Sequence, residues 1–150
     1  MKYFRIIAVF VVFCLVAIQF FRPERNNAYN PSAVAIAKVV TVPADVAMIL
    51  KTACYDCHSN YTKYPWYANI QPIAWVLANH IKDGKSELNF SEFGSYSARR
   101  QKSKLSAVAD AIKDKTMPLT SYTLIHNEAR LSKKQKELVI SWVDKTLTGY

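Results

Sequence analysis

Within "KTACYDCHSNYTKYPWY", Lys51 to Tyr67, two cysteines and a histidine stand as C-x-x-C-H: Cys54, Cys57 and His58. Three chemistries use such a set. A thioredoxin-like redox pair follows a strand and opens a helix, whose dipole lowers the thiol pKa. A structural zinc needs four ligands, often supplied by a second paired motif. Covalent haem needs two cysteines at this spacing for its two vinyl groups and the next histidine for its iron. Here the cysteines close an apolar-periodic segment, no βαβ pattern surrounds them, and Cys14, the remaining cysteine, lies far away in an apolar run. His80 and His126 form no second pair. The residues favour one covalent haem c per chain, with His58 as the proximal iron ligand.

A second axial ligand decides what such a haem does. Met48, Met117, His80 and His126 are the candidates beyond the first apolar run. Met48 shares the helix that leads into the cysteines. Met117 is followed by Pro118, which stops a helix and restrains its neighbour, so Met117 is the expected ligand and His80 and His126 stand behind it. Tyr61, Tyr64, Trp66, Tyr67 and Trp75 suit either haem contact or ordinary core packing. Lys63 and Arg99 are cations that propionates could use.

Helices must carry these groups. Val46, Ile49, Leu50 and Ala53 recur at i, i+3, i+4, i+7, so a helix over Ala44–Ala53 delivers Cys54. Pro72 to Asp83 is a second helix, stopped by Gly84, with Ile73, Val76, Leu77 and His80 on its apolar face. Leu105, Val108, Ala109 and Ile112 mark a third over Ala98–Lys115. A short one spans Ser121 to Ala129. The last, Lys133 to Leu147, opens with Ser132 and Gln135 as a capping box and buries Leu138, Val139, Trp142 and Val143. "KSELNFSEFGSYS" reads as irregular, with room for a short turn of helix. No segment alternates as a strand would, and only three glycines occur, so the expected fold is all-α.

Ile6 to Phe21, "IIAVFVVFCLVAIQFF", is apolar apart from Gln19 and follows Lys2 and Arg5. It is a secretory signal or a membrane anchor. The run ends in Gln19, Phe20 and Phe21, without the small residues a signal peptidase needs, so an uncleaved anchor is expected. The residues before Cys14 likewise lack the small residue of a lipobox. Lys2 and Arg5 favour a cytoplasmic N-terminus, while Arg22 and Arg25 flank the other end and counter that bias. The expected organisation is an anchor or signal over 1–22, a linker rich in Asn and Pro over 23–42, and a haem domain over 43–150. The net charge of +9 is spread over the helices rather than gathered into a patch, and the chain is expected to be exported. Nucleic acid is therefore not an expected partner.

"CYDCHSNYTKYPWY", "NFSEF", "MPLTSYTLIHNEARLS" and the late "SW" together resemble the small bacterial haem-binding domain family built around C-x-x-C-H. The resemblance runs from about Val42 to Val143. It implies a cytochrome c-like domain with haem at Cys54, Cys57 and His58, and no particular reaction. The combined expectation is a small helical cytochrome c-like domain behind an N-terminal membrane helix, in the cell inner membrane and facing the periplasm. Six-coordinate iron suits electron transfer with redox partner proteins, making the chain a carrier rather than an enzyme. A haem sensor or peroxidase-like enzyme with an open distal site is the alternative, and a metal-free domain with paired cysteines is a third.

Overall fold

The apolar run forms α1 (Lys2–Ala17), extended by a 3-10 turn at Ile18–Phe20. None of its residues is buried, and together they are long and apolar enough to cross a membrane. The structure, a computed structural model, describes residues 1–28 and 32–149. Beyond α1 every regular element of the described residues is helical, joined by loops, with one isolated bridge between Asn27 and Tyr61.

A short helix, α2 (Ile36–Val39), precedes α3 (Ala44–Ala53). The stripe of Val46, Ile49, Leu50 and Ala53 is buried as the periodicity predicts. Cys54 leaves helical geometry, and α4 (Tyr55–His58) starts immediately after it. Then come α5 (Ile73–Glu87), α6 (Ala98–Lys113), α7 (Thr120–Ile125) and α8 (Lys133–Thr148). Ser97 caps α6 through its hydroxyl. At α8, Ser132 and Gln135 form the reciprocal capping box, satisfying backbone donors that the helix cannot.

α6 packs on α8, and α3 packs on both α8 and α4. Leu50, Phe90, Phe93, Leu105, Val139 and Val143 fill the centre of this assembly. Full burial of each is worth about 1.5–3 kcal/mol, so the core rests on few residues. Trp142 sits at its edge and donates its indole N–H to the Thr41 carbonyl, 3.0 Å away.

Three local features differ from the sequence pattern. Gly84 does not stop α5, which runs on to Glu87. A Cβ at Gly84 would lie 2.7 Å from the Cys57 carbonyl oxygen, so the glycine is there to let α5 approach the cysteine turn. Second, α5 buries Ala74 and Ile81 and leaves Ile73, Val76 and His80 exposed. Helical period alone ranks the bulkier stripe first, whereas close packing against α4 and the 3-10 turn Trp66–Asn69 uses the small-residue side. Third, the irregular "NFSEF" stretch is a 3-10 segment, Phe90–Ser95, whose Phe90 and Phe93 are core residues.

The segment between α1 and α3 is partly folded onto the rest. Ile36 is fully buried. Asn26 donates its side-chain amide to the Ser59 carbonyl (2.8 Å) and to Thr62 Oγ1 (2.9 Å), and its backbone N–H to the Tyr64 hydroxyl (2.7 Å). Lys85 Nζ completes the set on Asn26 Oδ1, at 2.7 Å. The loop that follows His58 is therefore strapped to the chain leaving α1.

Candidate functional site

Cys54 closes the hydrogen-bonded run of α3, its N–H donating to Leu50 O, and the Cys57 and His58 N–H groups both return to Cys54 O (3.2 and 2.9 Å). This tight turn sets two thiols and an imidazole on consecutive corners. His58 Nδ1 lies 3.0 Å from the Leu88 carbonyl oxygen. A carbonyl only accepts, so Nδ1 donates, and in the neutral ring this leaves the lone pair on Nε2, the tautomer that a metal ligand needs. The ring is further set edge-on to Phe90.

Two adjoining clefts, of about 190 and 300 Å³, open on this turn. Cys54, His58, Glu87, Met117 and Pro118 wall both. Toward α6 the lining is apolar, with Ala107, Val108, Ala111 and Ile112 beside Leu88 and Phe90. Toward α5 it takes in Cys57, His80, Asp83 and Gly84. Four residues singled out by type and spacing, Cys54, Cys57, His58 and Met117, thus border one apolar recess, although Met117 lies far from the others in sequence. Met117 is 37% exposed. Its backbone N–H and that of Thr116 both donate to Ala111 O.

The other histidines and Met48 separate on position. His80 is on the cleft wall, in an exposed position. His126 lies outside both clefts and is already engaged, with Nε2 2.8 Å from the Tyr67 hydroxyl and Nδ1 3.2 Å from Glu128 Oε1. Met48 lines a separate depression beside α8.

The thiols are free. Burial, and then the neighbouring Cys57, push the Cys54 thiol up to about 12; burial, and then Asp56, push Cys57 up to about 11. Both are therefore protonated at neutral pH. Thiolate is the nucleophile of redox pairs, so that chemistry is not favoured here. Among the described residues, no group of three or more His, Cys, Asp or Glu is arranged to hold a metal ion.

Some site features were not visible in the sequence. Asp56, inside the motif, accepts from the Tyr122 hydroxyl (2.8 Å) and the Lys63 N–H (3.0 Å), tying α7 to the cysteine turn. Burial, and then this bond, hold the Tyr122 hydroxyl far above the usual phenol range. Lys104 stands on the cleft wall and pairs with Glu87 at 3.4 Å, bridging α6 and α5. The spacing of Lys104, Ala107, Val108 and Ala111 on one helical face was the available signal for it. Lys63 does not line either cleft, nor does Arg99.

The whole is a small all-α domain behind one long apolar helix, with two cysteines and a histidine lining apolar clefts. The chain belongs to the haem-binding domain family, whose model matches residues 13–145. The match begins inside α1 and takes in the connecting segment as well as the helical domain. No curated protein and no solved structure matches the chain.

Proposed function

We propose that this chain is a membrane-anchored c-type haem protein that transfers electrons through one covalently bound haem c. Residues 1–22 anchor it, residues 23–42 connect, and residues 43–150 form a cytochrome c-like domain on the periplasmic side of the inner membrane. The observation that carries the reading is the convergence of Cys54, Cys57, His58 and Met117 on one apolar cleft within a haem-binding domain.

The residues present fit such a group. The apolar α6 wall would exclude water from a flat ring, and the missing side chain at Gly84 lets α5 pack directly on the Cys57 side of the turn. Taken together, the two adjoining clefts reach the size of small-molecule sites, about 300–1,000 Å³. Cys54 and Cys57 would hold haem by two thioethers, a use that suits neutral, half-buried thiols. His58 would ligate through Nε2, its orientation fixed by the Leu88 carbonyl. Met117 would supply the second iron ligand, and Lys104 would take a propionate. When bound, haem supplies a one-electron iron couple, and a Met–His ligand pair raises its potential relative to two histidines. The partners are redox proteins of the same compartment.

A second reading, a haem sensor or peroxidase-like enzyme, draws on the exposure of Met117: a half-exposed ligand is one that an incoming molecule displaces. One experiment separates the readings. Exported full-length protein is extracted with acid–acetone, and its reduced-minus-oxidised spectrum is recorded with and without carbon monoxide. Haem that stays with the polypeptide and does not bind carbon monoxide is the expected result. Retained haem that binds carbon monoxide readily selects the sensor or enzyme, and haem lost on extraction overturns covalent attachment.

A further inference from the structure

Gln19 is the only polar residue within the apolar run from Ile6 to Phe21. Its side-chain amide grips one backbone position: Gln71 N–H donates to Gln19 Oε1 (2.9 Å), and Gln19 Nε2 donates to the Gln71 carbonyl (3.2 Å). Two residues later, the Phe21 carbonyl accepts the Trp75 indole N–H at 2.8 Å. The start of α5 is therefore fastened to the last turn of the membrane-length helix. These bonds hold the domain against the end of α1 although residues 23–42 intervene in the chain.

The surface next to that fastening is apolar. Ile70, Ile73 and Val76 are 42%, 46% and 53% exposed, and Phe20 and Phe21 are 83% and 69% exposed. Ile73 and Val76 are one helical turn apart and share a face. Arg22 follows Phe21 directly, and Arg25, three residues on, is bonded to Asn69 and set over the Tyr64 ring; basic residues just past a membrane-length helix suit anionic headgroups. Trp75 lies beside the same helix end, and indoles are enriched at membrane interfaces.

We propose that the face formed by Ile70 and, on α5, Ile73 and Val76 rests in the headgroup layer of the bilayer that α1 crosses, so that the domain is seated on the membrane rather than tethered above it. The occupant is lipid because this face continues the apolar surface of α1 at its end. The inference goes beyond the haem reading and rests only on its anchor. It also sets the height of the cleft. His80 to Glu87 line it, 7 to 14 residues along α5 from Ile73. The helical rise puts them at most about 10–21 Å from the surface.

The test places a benzophenone amino acid at Ile73, at Val76, at Phe10 within α1, and at Met48 on α3, each singly in the full chain reconstituted in phosphatidylethanolamine–phosphatidylglycerol nanodiscs. All four positions are exposed, so the fold tolerates the substitution; circular dichroism checks it. After irradiation, adducts are identified by mass spectrometry. Lipid adducts at positions 10, 73 and 76, several-fold above position 48, are expected. Lipid adducts at position 10 alone, or equal adducts at 48, 73 and 76, overturn the seating. Adducts of 73 or 76 with protein rather than lipid overturn the choice of occupant. No lipid adduct at position 10 removes the anchor itself and the inference with it, while leaving the haem site untouched.

Discussion

On one wall of the cleft, His58 belongs to a turn whose N–H groups return to Cys54 O, whose ring is tied to the Leu88 carbonyl, and whose Cys57 is pressed by α5 at Gly84. On the other wall, Met117 hangs from the end of α6 by backbone bonds to Ala111 O, is 37% exposed, and is linked back to the cysteine turn through Tyr122 and Asp56. The first wall combines bonds inside the Cys54–His58 turn with a bond from the ring to the Leu88 carbonyl and a tight helix approach. The second depends on a loop and one long-range bond. A site made this way has one fixed face and one face whose group can be exchanged with little disturbance to the fold.

The strongest way to break that comparison is to remove one group from each wall. His58→Ala leaves the Leu88 carbonyl without its partner beside a buried core, at a cost of about 1–3 kcal/mol. Met117→Ala removes a half-exposed side chain and is expected to cost less than ~1 kcal/mol. Denaturant unfolding of the haem-free proteins measures both. In the haem-loaded protein, Met117→Ala should leave haem attached, lower the potential and admit carbon monoxide, while Met117→His should restore six-coordination at lower potential. Equal destabilisation by the two alanines would erase the difference between the walls. An unchanged spectrum in Met117→Ala would move the distal ligand to His80, the other imidazole on the cleft.

Gly84 tests the fixed wall directly. In an exposed helix, Gly→Ala gains about 1 kcal/mol from propensity. Here the new Cβ meets Cys57 O at 2.7 Å and Cys57 Cβ at 3.1 Å, contacts with backbone and with a short side chain that cannot swing aside. Overpacking of this kind costs about 1–3 kcal/mol. Gly84→Ala is therefore expected to lower the thermal midpoint in spite of its better propensity. A higher midpoint would mean that α5 can back away from the cysteine turn, and that this wall is no firmer than the other.

How much of this was legible in the sequence follows the same division. C-x-x-C-H is a local word, so Cys54, Cys57 and His58 could be read without any fold. The i, i+3, i+4 pattern located α3, α6 and α8, and Ser132 with Gln135 marked a start that the structure bears out. Pairings between distant segments were not readable. Tyr122 and Asp56 are 66 residues apart, and nothing local marks either as the other's partner. Lys104 reads as one more surface lysine until α5 supplies Glu87. The α5 face was misassigned because Ile73, Val76 and His80 follow helical spacing as well as Ala74 and Ile81 do. Periodicity reports that a stripe exists, not whether protein or something else covers it. Gly84 has the same lesson at a single position: a glycine near a helix end reads as a stop, and only the neighbouring helix shows that it is a contact.

The smallest expected effect comes from the turn that holds up the looser wall. Lys115 has φ of 59°, the left-handed region, where its Cβ crowds the backbone. The turn exists because α6 must end and send Met117 back across Ala111: Thr116 and Met117 N–H lie 3.0 and 3.2 Å from that carbonyl, and Lys115 N–H returns to Ile112 O at 3.3 Å. Its side chain is exposed, so little packing is lost on truncation. Glycine adopts this conformation without the Cβ penalty of about 1–2 kcal/mol, but it also gives the unfolded chain more freedom. The net expectation for Lys115→Gly is stabilisation by about 0.5–1 kcal/mol, with Lys115→Val destabilising by a similar amount because a β-branched side chain suits this region least. Denaturant midpoints check both signs. Carbon monoxide access in the haem-loaded Lys115→Gly protein should match that of the unaltered chain, since the same turn is kept and only its strain is relieved. If access rises instead, the lysine is holding Met117 in place through rigidity rather than merely tolerating the turn, and the looser wall is firmer than its exposure suggests.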